Sequence, residues 1–81
     1  MDAIPNFDNK CCKLRQESGF NFTLRESQVL VMAAADWGYC KISKAIHVSE
    51  SAVRQFMKNS REKTCCTSNM AMAITIAKFL Q

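Results

Sequence analysis

An all-α fold is what this sequence predicts, and three observations predict it. Apolar residues recur at three- and four-residue spacing in successive segments, the period of a helix face. Helix-start signals precede those segments at Thr23, Ser49 and Ser68. The closing stretch, residues 69–80, is apolar around most of a helical circumference. With 81 residues the chain makes one domain of modest burial, in which a partner surface would help stability. Its expected layout is an N-terminal extension over residues 1–20, carrying a short extra helix, and a four-helix unit over residues 21–81.

Residues 1–6, with Pro5 and Asn6, read as a frayed lead-in. Phe7, Cys11, Leu14 and Ser18 then fall on one side of a short amphipathic helix that Gly19 stops. Its apolar face is narrow and suits a lid that completes a small core, the alternative being an extra element that mediates contact with a partner. Thr23-Leu-Arg-Glu26 is a capping box, so a second helix begins there. It continues through Val29, Leu30, Val31, Met32 and three alanines, apolar nearly all round, which assigns it to the centre of the domain. Asp36 to Gly38 closes it, and Trp37 is expected in the core rather than stacked on a base.

From Tyr39 to Phe56 the spacing fits a helix-turn-helix. Ile42, Ile46, Val48, Val53 and Phe56 fill the apolar positions, Ser43 the close-contact position and His47 the turn. His47 is thus a turn residue, although glycine is the easier occupant of a left-handed conformation. Ser49 caps the next helix, Glu50 sits in its first turn and Val48 with Val53 forms a hydrophobic staple. On that helix, residues 49–63, Val53, Phe56, Met57 and Ser60 share one side. Ser51, Arg54, Gln55, Lys58, Arg61 and Glu62 share the other. Arg54, Gln55 and Lys58 match guanine and adenine edges in a major groove and are expected to read bases. Lys41, Lys44, Ser49, Ser51 and Arg61 are expected to position the domain on phosphates. An ordinary solvated helix face is the plainer reading of the same pattern.

The formal charge of +4 is unevenly distributed. Between Lys41 and Lys63 six cations face two carboxylates, so the whole excess lies in the segment just described, as an electrostatic footprint for phosphate requires. No stretch approaches the roughly 18 apolar residues of a membrane span, and the N-terminus lacks the basic-then-apolar order of a signal peptide. A cytoplasmic location without membrane association is expected. Five cysteines, an odd number, suit free thiols rather than a disulfide framework. The adjacent pairs Cys11-Cys12 and Cys65-Cys66 lack the two to four intervening residues of zinc sites, so neither a metal nor another cofactor is expected. There is no paired carboxylate, no nucleophile with a base and no phosphate loop, so an enzyme is not expected.

Residues 69–80 form the last helix, capped by Ser68. Its surplus apolar surface, centred on Met70, Ala73, Ile74 and Ala77, is expected to pair two copies, the plainer alternative being a wholly intradomain helix.

Phe22-Thr-Leu-Arg-Glu-Ser-Gln-Val-Leu30 resembles the L-T-x-R-E-x-x-V-L opening of LuxR-type, GerE-like domains. Ile42-Ser-Lys-Ala-Ile-His-Val-Ser-Glu-Ser-Ala-Val53, followed by Phe56-Met-Lys-Asn59 and Lys63, is similar to that family's I-A-x-x-L-x-I-S-x-x-T-V run and its continuation. The similarity covers about residues 21 to 80. Asp36 and His47 stand where the family usually has glycine, Ala52 replaces a threonine, and Thr64-Cys65-Cys66 replaces Leu-Gly-Val. The resemblance implies a four-helix domain whose third helix enters the major groove and whose last helix pairs subunits. It also implies a bacterial or phage source, and at Arg54, Gln55 and Lys58 it agrees with the base-reading assignment. The expectation is therefore a free-standing transcriptional regulator that binds duplex DNA as a homodimer. The alternative is an interaction module that captures another regulator or RNA polymerase through the apolar last helix.

Overall fold

The computed structural model describes residues 4–80, and within them the chain forms five helices and no strand. These are α1 (Phe7–Glu17), α2 (Leu24–Ala34), α3 (Tyr39–Ala45), α4 (Glu50–Thr64) and α5 (Asn69–Ala77). The central helix is α2, which packs against all four others, while α4 also packs on α3 and α5. Val29, Leu30, Val31 and Met32 of α2 are all buried. Around them lie Cys11 and Leu14 of α1, Ile42 of α3, Val53 and Met57 of α4, and Met72 and Ile76 of α5. Burying a Val, Leu, Ile or Met side chain of this set contributes about 1.5–3 kcal/mol.

The start of α2 is the expected capping box. Thr23 Oγ1 accepts from the Glu26 amide at 3.2 Å, and Glu26 Oε1 accepts from the Thr23 amide at 2.9 Å. Ser49 and Ser68 cap α4 and α5 by accepting from Ala52 and Ala71, each at 3.1 Å. Behind Ser49, Val53 is fully buried and Val48 half-buried, the arrangement of a staple.

Three helices end in the same way, and not on glycine. Asp36, His47 and Cys65 adopt φ of 67°, 58° and 58°, the left-handed region. In each case the following amide closes back on a carbonyl of the preceding turn: Trp37 to Met32, Val48 to Ser43, and Cys66 to Arg61. This is the Schellman closure, which satisfies carbonyls the helix leaves unpaired. Gly19, with φ of 73°, stands beyond the end of α1 as expected.

Two expectations need correction. The last helix stops at Ala77, three residues early, because Phe79 and Leu80 donate to Ile76 and Ala77 in tighter three-residue turns. The lead-in is not wholly loose: Ile4 packs against the core and Pro5 and Asn6 form a turn. The rest of that expectation, residues 1–3, lies outside the described residues. Trp37 is half-buried against the core edge, with the Lys41 ammonium 4.2 Å above its ring.

Candidate nucleic-acid interface

The candidate interface rests on α3, the turn at His47 and α4. Ile42 and Ile46 on one side and Val53 and Met57 on the other are buried between the helices and the core. Ser43 is small enough for close approach, is 7% exposed and spends its hydroxyl on the Cys40 carbonyl at 2.7 Å. The turn is held from outside as well, since Arg25 Nη1 donates to the Ile46 carbonyl at 3.0 Å. That contact fixes the angle of α3 and α4 to the first turn of α2.

The two faces of α4 separate as the sequence spacing implies. Val53, Met57 and Ser60 are buried and Phe56 is half-buried, while Ser51, Arg54, Gln55 and Lys58 are exposed. Ser60, at no exposure, satisfies its hydroxyl on the Phe56 carbonyl at 2.8 Å. Arg54 to Lys58 is about one helical turn, roughly 6 Å along the axis. Arg54 lies 4.0 Å from Glu50, and its guanidinium carbon is 5.7 Å from the Tyr39 ring centre. Gln55 Nε2 donates to Asn59 Oδ1 at 2.9 Å.

Of the residues assigned to phosphates, Lys41, Lys44, Ser49 and Ser51 are exposed at the α3 side and the start of α4. Ser49 accepts the Ala52 amide, and its hydroxyl proton remains able to donate outward. Arg61 is half-buried and gives one Nη1 hydrogen to Asn69 Oδ1. The basic footprint is smaller than composition suggests. Lys63 turns away from α4's exposed face to pair with Glu26, Nζ to Oε1 2.5 Å, and to donate to the Asn21 carbonyl at 3.3 Å. Glu26 is 3% exposed, so this pair is a fastener between α2 and α4.

Sequence reasoning missed Tyr39, Asn69, Asn59 and Arg25. Tyr39 Oη accepts from Asn69 Nδ2 at 2.9 Å, across 30 residues of chain. Arg25 and Asn59 had a signal, as members of the motifs at the start of α2 and within α4; Tyr39 and Asn69 had none.

On α5, Met72 and Ile76 are buried, whereas Met70 is 76% and Ile74 71% exposed. Ala73 and Ala77 complete this outer face, which borders a groove of about 460 Å³ floored by Val31, Ala34 and Leu80. The cysteines are all free thiols. Burial pushes the Cys11 thiol above its ordinary range, and hydrogen bonding with Thr64 and then Thr75 draws Cys66 below it. Among the described residues no three His, Cys, Asp or Glu side chains gather as a metal site, and no helix is long and apolar enough to cross a membrane. No family model, curated protein or solved structure matches the chain.

Proposed function

We propose that this chain binds duplex DNA as a homodimer, with α4 in the major groove, α3 across the adjacent backbone and α5 pairing the two copies. The observation that carries the reading is the division of α4: Arg54, Gln55 and Lys58 exposed along one turn, opposite Val53, Met57 and Ser60 locked in the core. A groove about 12 Å wide admits one helix, and bidentate donors at its exposed centre match base edges. In this arrangement Arg54 bonds guanine and Gln55 adenine, each worth about 1–3 kcal/mol of discrimination. Lys41, Lys44, Ser49, Ser51 and Arg61 border that exposed centre and meet phosphates. The resemblance of residues 21 to 80 to LuxR-type domains supports the same assignment. The role is that of a small transcriptional regulator.

The exposed apolar face of α5, at Met70 and Ile74, also favours a second reading, capture of another regulator or RNA polymerase. Salt-dependent DNA binding separates the two. The experiment selects a site from randomised duplex DNA, then measures single-base variants at two salt concentrations. Arg54→Ala relaxes preference at one base pair per half-site. Lys44→Ala weakens all sequences alike and lowers the salt slope by about one. If both changes give the same uniform loss, Arg54 is not a base reader; if the unmodified protein shows no salt-dependent binding, the interaction reading takes over.

A further inference from the structure

Three side chains from three helices make a continuous strut beside the exposed face of α4. Asn69, the first residue of α5, accepts from Arg61 Nη1 with its carbonyl oxygen and donates from Nδ2 to Tyr39 Oη at 2.9 Å. Tyr39, the first residue of α3, is half-buried against the core, and its ring lies 5.7 Å from the Arg54 guanidinium carbon. We propose that Tyr39 and Asn69 are positioning residues that fix the pose of Arg54 and thereby couple the start of α5 to base reading. This rests on the DNA-binding reading above.

The chemistry at each joint suits the task. A primary amide offers an acceptor at one end and a donor at the other, so Asn69 can hold a guanidinium and a phenol at once. Holding the phenol fixes the tilt of the ring. A fixed ring face attracts the guanidinium electrostatically and limits a side chain that otherwise has many rotamers. The competing restraint is weaker, because Glu50 sits 4.0 Å away with both side chains about half exposed or more, a geometry that solvent screens. Arg54 therefore meets DNA already partly ordered, which lowers the entropy lost on binding. Asn69 also adjoins Met70, the most exposed large apolar residue of α5. Covering that apolar face orders the residue next to the strut, so the pairing surface and the reading surface share one joint.

The test has an arm without DNA and an arm with it. In the free protein, proximity to the Tyr39 ring shifts the Arg54 side-chain protons in the NMR spectrum. Tyr39→Leu should abolish that shift and Asn69→Ala should reduce it. Asn69→Asp, which can accept from both Arg61 and the Tyr39 hydroxyl, should retain it. On the selected DNA site, Tyr39→Leu and Asn69→Ala should lower discrimination at the base pair read by Arg54 by roughly threefold to tenfold, the worth of one hydrogen bond. Preference at other positions should hold, and Asn69→Asp should rescue it. Thermal unfolding of each variant checks that the fold persists. An Arg54 shift unchanged in both variants overturns the strut itself, and uniform weakening over all base variants overturns its role in reading. Absence of DNA binding by the unmodified protein overturns the reading beneath the proposal, while the free-protein arm still judges the contact.

Discussion

Replacing Cys65 with glycine should stabilise this protein, and the size of the gain follows from the backbone. Cys65 holds φ 58° and ψ 28° at the end of α4. An L side chain in that region costs roughly 1–2 kcal/mol, which glycine avoids. Against this, glycine gives the unfolded chain more freedom, returning roughly 0.4–1 kcal/mol. The Cys65 side chain is exposed, so little burial is lost with it. The net gain is about 0.5–1 kcal/mol, which in a domain of this size raises Tm by about 2–8 °C. Urea unfolding followed by far-UV circular dichroism, with reductant to keep the thiols free, measures it directly. The reciprocal change is Gly19→Ala, at φ 73°, where an added Cβ meets nothing within 4 Å. Its cost is therefore backbone strain less the freedom removed from the unfolded chain, about 0.5–1 kcal/mol. A midpoint for Cys65→Gly at or below that of the parent, with an unchanged denaturant slope, would refute the reasoning.

Lys63→Met should cost about 1.5–3 kcal/mol in thermal unfolding, because among the described residues it leaves the buried Glu26 side chain with only the Thr23 amide at 2.9 Å. Adding Glu26→Gln to that variant should recover part of the loss, and full additivity would show that the pair is not coupled. Burial holds the Cys11 proton in the fold beyond the ordinary thiol value of 9.0, while the unfolded chain releases it there. The native state then binds more protons, so stability should fall as pH rises through 9.0, and Cys11→Ala should flatten that fall. Alkylation at neutral pH should reach Cys66 well before Cys11, as read by peptide mass spectrometry. On the proposed reading, Ile74→Glu should convert a dimer to a monomer in light scattering and weaken binding to a two-half-site duplex; a parent already monomeric at tens of micromolar would count against pairing through α5.

Local chemistry was legible wherever it repeats or caps. The Thr23–Glu26 box, the Ser49 and Ser68 caps and the buried side of α4 each need only residues within one or two turns of one another. The end of α5 was not, since Phe79 and Leu80 continue the apolar pattern while the backbone has already tightened past Ala77. Periodicity reports which side is apolar, not which hydrogen-bonding ring closes. Composition counts Lys63 with the cations of the candidate site because it cannot see a carboxylate 37 residues away. Tyr39 and Asn69 left no pattern for the same reason: their contact joins α3 to α5 across 30 residues and depends on how α5 settles on α4. The exposed positions of Arg54, Gln55 and Lys58 on α4 were readable, while the contacts that orient Arg54 were not.

The unusual helix ends bear on the proposed function through geometry rather than stability. Only residues 66–68 separate the left-handed turn at Cys65 from the first residue of α5, so that turn sets the angle between α4 and α5. If two copies pair through Met70, Ala73, Ile74 and Ala77, the same angle sets the separation of the two α4 helices. For adjacent major-groove half-sites that separation must be near one turn of DNA, about 34 Å, or a multiple. Cys65→Gly keeps the left-handed conformation and so should keep the preferred half-site spacing while raising stability. A single residue inserted after Thr67 keeps α4 and its exposed face yet changes where α5 begins, and should shift the preferred spacing or abolish two-site binding. Half-site binding by one α4 should survive in that variant. Equal affinity of parent and insertion variant across a series of spacer lengths would mean that α5 does not fix the pair of reading helices.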